Sequence, residues 1–476
     1  MNLNKATNNN VKWSFIESIS LKVVGFVLSI ILARLLLPSD FGILAIVNVF
    51  YLITSVFIDG GLREAIIQKK EANENDFSTV FWLNILVSLL LYLILFFAAP
   101  FIETMYQFEG LSFFIRLQSL TLIIEAFGLI QIVKATKELN LKKITLARIP
   151  ATLISFVVGI TLAYLGYGIL SLIIQQLVNV GVYTLLLVYN IRYKPQFLFS
   201  KTSIQSLYGF GLKIFAISFI SRMYVQSLNL IYAFYFNIKE LGFYTKSKSL
   251  QGVPIEILTN TFTKGLYPTM VKVQLHNRLL RKIFLNNMRM LTYVMIIING
   301  LFYFNANEIV LFLLGENWVG MASYLKIAAV GSIFIPINTQ VISIFKVKGK
   351  AGFLLKIETV WKIVALILII LFSIYTTFET VLWMVVILNS IMGFVYLYFC
   401  SKEIKYSFSK EFKVILLLIS YFYVSGYISD TLLIFLLDNK HQIVKIVIFT
   451  ILYFTFAWIF GFIVKEFNLK KLIRLK

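Results

Sequence analysis

Long apolar stretches recur along the whole chain, and they constrain its fold more than any other feature. A helix needs about 20 mostly apolar residues to cross the roughly 30 Å hydrocarbon core of a bilayer. Fourteen such spans are predicted, at residues 13–36, 41–66, 79–101, 112–133, 148–167, 169–191, 207–236, 243–268, 285–305, 323–345, 353–374, 379–400, 412–435 and 443–465. The sequence therefore predicts an all-α integral membrane protein and excludes a soluble globular one.

Composition excludes several other classes of protein. Apolar residues make up 59% of the chain and charged residues 14%, against about 25% charged in soluble domains. One Cys and two His exclude a disulfide framework and most metal sites, so we predict no metal, and no motif indicates a cofactor. The net charge is +22, but the Lys and Arg lie between apolar blocks, so we predict no nucleic-acid partner.

The distribution of Lys and Arg predicts the orientation of the spans. If the N-terminus is cytoplasmic, the inner segments hold 25 Lys and Arg and the outer loops hold only Lys239 and Lys440. This is the asymmetry expected when positive residues stay inside. Fourteen spans then place both termini in the cytoplasm. No removable signal peptide precedes the first span.

An internal repeat is predicted at an offset of 200 residues. The segment 37–42 (LPSDFG) falls on 237–242 (NIKELG), and Lys22 falls on Arg222. The two halves would be parallel repeats related by an axis along the membrane normal. We predict a six-helix bundle over 1–200, a second over 201–404, and two additional helices with a basic cytoplasmic tail over 405–476.

A few charged residues fall deep inside the spans. A charge at the bilayer centre costs roughly 2.5–3.5 kcal/mol on insertion scales, so such residues usually face a bundle interior or a wet cavity. Buried cations with few neighbouring carboxylates call for an anionic partner such as a phosphate. The deep polar residues are Lys22; Arg222 with Gln226 and Asn229 on its face; Glu256; Asp59, Arg63 and Glu64 towards an inner end; and Glu125, alone in the fourth span.

Structural explanations remain open for several of these residues. Asp59 and Arg63 are four apart and would neutralise each other on a helix, as would Glu358 and Lys362. Arg34 lies near the outer end of its span and can snorkel to the interface. Lys213 lies nine residues before Arg222, hence on the opposite helix face.

Several segments resemble bacterial Wzx-type oligosaccharide flippases, in the superfamily that includes multidrug extruders and the lipid II flippase. The resemblance lies in residues 32–42 (LARLLLPSDFG), 59–62 (DGGL) and 65–68 (AIIQ). Residues 166–168 (GYG) with Gln175, 267–268 (YP) with Gln274, and 315–318 (GENW) with Ala322, Leu325 and Pro336 add to it. It covers roughly residues 11–400, and the last two helices match only in number.

This resemblance implies two six-helix bundles flanking a cationic central cavity that opens alternately to each side. The implied cargo is an undecaprenyl-pyrophosphate-linked oligosaccharide, moved to the outer leaflet of the bacterial cytoplasmic membrane. The terminal helix pair would lie outside the core. The implied partners of the pyrophosphate are Lys22 and Arg222. Along the path of the substrate lie Arg34, Lys213, Lys246, Lys248, Gln226 and Asn229. The candidates for coupling or charge balance are Asp59, Arg63, Glu64 and Glu256.

Implied partners are membrane lipids, a proton or sodium ion, and polysaccharide polymerase and chain-length proteins. Two alternatives stay open. A cation-coupled drug exporter shares the fold, although it favours acidic pockets, and a polysaccharide polymerase needs a catalytic loop that the short outer loops do not offer. The sequence leaves open the glycan, the coupling ion, the oligomeric state and the pathway (O-antigen of lipopolysaccharide, capsule or exopolysaccharide).

Overall fold

In a computed structural model, the chain is described over residues 21–69, 71–436 and 442–463, and its regular elements there are helices. The helices are α1 (21–35), α2 (Pro38–Asp59), α3 (Leu62–Gln68), α4 (Glu74–Tyr106), α5 (Leu111–Lys137), α6 (Leu141–Tyr164), α7 (Ile169–Ile191), α8 (Lys201–Tyr235), α9 (Ile238–Lys272), α10 (Asn277–Phe304), α11 (Ala306–Leu314), α12 (Met321–Gly331), α13 (Ile335–Val347), α14 (Ala351–Tyr375), α15 (Phe378–Ile404), α16 (Phe408–Leu436) and α17 (Gln442–Ile463).

Each of the fourteen predicted spans contains helix in the described ranges, so the all-α membrane architecture is confirmed. Nine helical segments of the described chain are long and apolar enough to cross a membrane, or ten if α10 and α11, bent by 74°, form one span. The closest pair of spans, 148–167 and 169–191, is separated by a turn in which Gly166 and Gly168 have φ of 85° and 50°. Glycine adopts this left-handed backbone without steric cost.

A two-residue break interrupts the second predicted span. Gly60 and Gly61 have φ of 52° and 71°, and they separate α2 from α3. Asp59 and Arg63 are therefore not one turn apart on a continuous helix. The side chain of Asp59 lies outside the described residues, so its pairing with Arg63 stays a prediction. Arg63 forms an ion pair of 2.8 Å with its neighbour Glu64.

The described helices pack into two compact units, one within Met1–Gly242 and one within Phe243–Lys476. In the first unit, α5 packs against α4 and α7, α6 packs against α7, and α8 packs against α2 and α3. Its core includes Ile66, Phe81, Leu122 and Ile130. The predicted repeat and the predicted boundary after residue 200 stay predictions.

Basic residues of two predicted inner loops meet at one end of the first unit. Lys69 pairs with Asp76 at 2.8 Å, and Lys134 pairs with Glu74 at 3.0 Å. The ammonium group of Lys137 donates to the carbonyl of Ile66 at 2.9 Å. The loops that precede α4 and follow α5 thus lie on the same side, as alternating spans require.

The terminal helices belong to the packed interior of the second unit. Phe422 of α16 shares one apolar core with Phe284, Ile344 and Leu397, and these are essentially inaccessible to solvent. Tyr453 of α17 is also fully buried. This packing attaches α16 to the second unit, and the expectation that the helix pair lies outside the two six-helix bundles stays a prediction.

Candidate functional site

The two turns that carry the predicted repeat touch each other within the first unit. A Cβ atom added to Gly42 would overlap the carbonyl oxygen of Ile238, and one added to Gly242 would overlap that of Pro38. The contact is reciprocal, because the two glycines are 200 residues apart and so are their partners, Pro38 and Ile238. Contacts about a two-fold axis have this form. Glycine is required at both positions because the neighbouring atoms are backbone. We call this contact the glycine crossing.

Arg222 lies near the middle of α8, in a span that the sequence predicts to cross the membrane. It precedes the end of α8, at Tyr235, by about 20 Å of helix, compared with a hydrocarbon core of about 30 Å. Its side chain is exposed on the surface of the unit. A cation at this depth usually faces a water-filled cavity or a ligand.

Two amides lie on the helix face of Arg222. Gln226 is only 3% exposed, and its Oε1 accepts a hydrogen bond of 3.1 Å from the Nδ2 of Asn229. This bond fixes the orientation of both amides. They are therefore polar groups held in place one and two turns beyond the guanidinium.

Glu125 was identified from the sequence as the lone deep charged residue of the fourth span, but other helices provide it with partners. The hydroxyl of Tyr51, from α2, donates to its carboxylate at 2.8 Å. The cations whose charges act on this carboxylate are Arg63 from α3, Arg148 from α6 and Arg222 from α8. Arg63 and Arg222 are both predicted site residues.

Arg148 and Tyr51 were missed by the sequence interpretation. The predicted span begins at residue 148, which made Arg148 look like an interfacial residue, whereas α6 begins two turns earlier at Leu141. The guanidinium of Arg148 lies over the ring of Tyr183, 4.7 Å from its centroid. An earlier predicted start of this helix would have placed Arg148 inside the span and identified it as a candidate.

In the second unit, the predicted lysines occupy α9. Lys246 is 4% exposed, whereas Lys248 is exposed and donates to the hydroxyl of Tyr244 at 3.2 Å. Further along α9, Glu256 has an exposed side chain. The helix therefore carries two lysines in its N-terminal half, one of them buried, and one carboxylate near its middle.

Neutral amides form a separate buried network in the second unit. The amide nitrogen of Gln251 donates to Asn299 at 2.9 Å and to the hydroxyl of Ser332 at 2.5 Å. The three side chains are at most 3% exposed. They connect α9 and α10 to the break between α12 and α13. This network therefore holds these helices together, and we call it a structural joint.

The remaining predicted site residues are placed as follows. Lys22 is half-buried on α1, and Arg34 is exposed near the outer end of the same helix. The side chains of Asp59 and Lys213 lie outside the described part of the chain. Glu358 and Lys362 form the predicted pair at 2.6 Å.

The sequence matches a family model described as "Polysaccharide biosynthesis protein" over residues 31–323. A Klebsiella pneumoniae protein named "Uncharacterized membrane protein in cps region" is 26% identical, covering 78% of this chain and 77% of its own. "Lipopolysaccharide biosynthesis protein WzxC" of Escherichia coli K12 is also 26% identical, covering 74% and 72%. The Wzx-type resemblance is thereby confirmed at the level of the family.

Among solved structures, the chain is similar to "Lipid II flippase MurJ, inward closed conformation". The TM-score is 0.72, with 14% identity, over 95% of this chain and 99% of the other. At this identity the similarity shows the fold alone. It extends over nearly the whole chain, including the terminal helices.

Proposed function

This chain belongs to the polysaccharide biosynthesis protein family, and on that premise we propose that it is a flippase for lipid-linked oligosaccharides. Its substrate is an oligosaccharide repeat unit on undecaprenyl pyrophosphate, moved from the inner to the outer leaflet of the bacterial cytoplasmic membrane. Transport needs no covalent chemistry by this chain. Both termini lie in the cytoplasm, as the distribution of Lys and Arg predicts.

The observation that carries the proposal is the exposed side chain of Arg222 near the middle of α8, a predicted membrane span. Its guanidinium is exposed about 20 Å from the outer end of α8. Guanidinium groups bind phosphate oxygens through two parallel hydrogen bonds. A diphosphate therefore gives this residue a partner inside the hydrocarbon region, and Lys22, at the repeat-equivalent position of α1, offers a second cation.

The names of the relatives support the substrate class. One relative is named for lipopolysaccharide biosynthesis and another for its position in a cps region. Both names concern surface polysaccharides. An acidic drug-binding pocket, which the exporter alternative needs, is not favoured by Lys22, Arg222, Lys246 and Lys248.

The physical task explains why such a protein needs cations in the membrane. A sugar diphosphate cannot enter about 30 Å of hydrocarbon without losing its hydrogen bonds to water, whereas its polyprenyl tail dissolves there. Arg34 and Lys248 would extend the cationic path beyond Lys22 and Arg222. Glu256 and Asp59 would balance charge or bind a coupling proton or sodium ion, with Arg63 and Glu64 beside Asp59.

Alternating access would use the glycine crossing as its outer closure. The crossing joins the first turn of α2 to the first turn of α9. The distribution of Lys and Arg predicts that these helix ends face outwards. Release of substrate to the outside then requires these turns to separate. Two rigid arrangements of packed helices can supply such a switch.

The first experiment combines Lys22→Ala with Arg222→Ala in cells that depend on this gene for surface glycan. Export should fall while the protein stays in the membrane, because the diphosphate loses its partners. A matched control removes two exposed basic residues of an inner loop, with Lys272→Ala and Arg278→Ala. Normal export by the first variant would overturn the assignment of these cations.

Deleting the gene separates the proposed function from its alternatives. A flippase defect removes surface glycan while complete lipid-linked repeat units accumulate in the inner leaflet. Single, unpolymerised units at the surface would instead indicate a polymerase. Unchanged glycan with altered drug sensitivity would indicate an exporter.

A further inference from the structure

The segment between α7 and α8, residues 192–200, is not helical, yet side chains of α4 and α5 hold its backbone in place. On α5, the Nε2 of Gln131 donates to the carbonyl of Tyr193 at 2.8 Å, and its Oε1 accepts from the N–H of Tyr193 at 3.3 Å. On α4, the hydroxyl of Ser78 accepts from the N–H of Gln196 at 3.0 Å. These bonds fix the path of the segment, which we call the joining segment.

The joining segment exposes three large apolar side chains in succession. Phe197 is 88% exposed, Leu198 42% and Phe199 65%. The ring of Phe197 lies edge-on to the indole of Trp82, with centroids 4.8 Å apart, and the indole Nε1 donates to the carbonyl of Gln196 at 2.9 Å. A fixed loop that presents an apolar patch of this kind indicates an apolar partner.

Trp82 places this patch at the boundary between the hydrocarbon and the lipid headgroups. From Trp82, exposed apolar residues follow one face of α4 through Leu86, Leu90 and Phe97 to Phe101. At 1.5 Å per residue, Trp82 and Phe101 are about 29 Å apart along the helix, which matches the hydrocarbon core of about 30 Å. Trp is enriched at membrane interfaces because its ring is apolar and its N–H group is polar.

Basic side chains flank the apolar patch on the side that the sequence predicts to be cytoplasmic. Arg192, Lys194 and Lys201 are all exposed. The ammonium group of Lys69, from another predicted inner loop, donates to the hydroxyl of Ser206 at 3.3 Å, so the two segments lie at the same end of the unit. Basic residues next to the membrane attract the anionic lipids of the cytoplasmic leaflet.

We infer that the joining segment is a binding site for an anionic phospholipid of the inner leaflet. The three exposed apolar side chains contact the acyl chains, and Lys194 and Lys201 bind the headgroup phosphate. Position and charge favour a lipid, because the patch continues the lipid-facing stripe of α4 and the cations complement an anionic headgroup. The site is separate from the proposed diphosphate partners. Because Gln131 and Ser78 fix the segment, bound lipid holds the inner ends of α4 and α5 at the level of the headgroups.

The test titrates phosphatidylglycerol into the purified full-length protein in detergent, with phosphatidylcholine as the neutral probe, and measures bound lipid by native mass spectrometry. Lys194→Ala combined with Lys201→Ala should lower the affinity for phosphatidylglycerol about tenfold and leave that for phosphatidylcholine unchanged. The matched control is Lys402→Ala with Lys405→Ala, which removes two exposed lysines at the end of α15 and should change neither affinity.

Phe197→Ala tests the apolar half of the site. Its affinity for phosphatidylglycerol should fall about fivefold, because acyl chains lose an aromatic contact. The control is Phe113→Ala, which removes a ring that is 54% exposed near the other end of the membrane, on α5. All these variants should elute like the wild type in size-exclusion chromatography, since the substituted side chains are exposed.

Three results would overturn the inference. Unchanged phosphatidylglycerol binding by the variant that lacks Lys194 and Lys201 would remove the headgroup site. An equal loss of phosphatidylglycerol and phosphatidylcholine would show apolar contact without headgroup recognition. Displacement of phosphatidylglycerol by equimolar farnesyl diphosphate would assign the joining segment to the substrate path instead.

Discussion

The first unit has two charged groups near the middle of its helices, whereas two buried polar clusters of the second unit are neutral or fully paired. In the first, Arg222 and Glu125 lie near the middle of α8 and α5. In the second, the buried network of Gln251, Asn299 and Ser332 is neutral. The buried Glu411 there has both carboxylate oxygens bound by Arg289, at 2.5 and 2.9 Å.

This difference separates groups that stabilise the fold from groups that are available to a ligand. A buried ion pair with complete hydrogen bonding has no capacity left for a ligand, and breaking it is costly. Charges whose main partners are other mobile side chains can exchange those partners for substrate. Substitutions in the second unit should therefore affect stability first, and those in the first unit should affect transport first.

The largest effect is expected from deleting residues 405–476. The deletion removes Phe422 from the core of the second unit and leaves Arg289 without its carboxylate. We expect little or no folded protein in the membrane fraction, as measured by size-exclusion chromatography of a fluorescent fusion. Removing only residues 466–476 is the control. A monodisperse protein lacking 405–476 would show that the second unit does not depend on these helices.

Gly42→Val should reduce export more than about tenfold while the protein remains folded, because the turns of the glycine crossing could no longer close. The same substitution at Gly181, where an added Cβ would have no neighbour within 4 Å, should leave export normal. Export is measured as surface glycan per amount of inserted protein. Equal export by the two variants would contradict a role for the crossing in transport.

Glu411→Ala should cost about 3–5 kcal/mol of stability, because it leaves the guanidinium of Arg289 uncompensated in a largely buried site. Glu411 is 2% exposed. Glu403→Ala, which breaks a more exposed pair with Lys350 of 2.7 Å, should cost at most about 1 kcal/mol. Thermal unfolding in detergent checks the difference, and equal shifts in Tm would remove the distinction between the two pairs.

Gln251→Leu should have a smaller effect than Glu411→Ala, a loss of about 1–3 kcal/mol, because Asn299 and Ser332 lose their shared donor. Export per folded molecule should not change, since the network is a joint between helices. Thermal unfolding and glycan export are measured on the same preparation. A transport defect without destabilisation would assign this network to the substrate path instead.

The sequence predicted the helices well because bilayer thickness sets their length. Even the pair separated by Gly166 and Gly168 was identified correctly. It missed the break at Gly60 and Gly61, because the apolar pattern continues on both sides of it. Consecutive glycines were the available signal, and they also interrupt the helical spacing on which the i, i+4 interpretation of Asp59 and Arg63 was based.

The surroundings of the candidate site could be predicted only in part. Local pairs such as Glu358 and Lys362 follow from helical spacing and were confirmed. The neighbours of Glu125 come from helices that lie far apart in the chain, and periodicity does not say which helices pack together. Arg222 was identified by its depth alone, whereas Tyr51 carries no charge and gave no such signal.

The glycine crossing also limits which mutations can compensate for one another. A side chain that becomes too large can be accommodated when its neighbour becomes smaller. At Gly42 and Gly242 the neighbouring atoms are main-chain carbonyl oxygens, which every amino acid carries. A genetic screen for revertants of a valine at either position should therefore recover glycine at the original codon, and no exchange at the facing codon should restore growth or glycan.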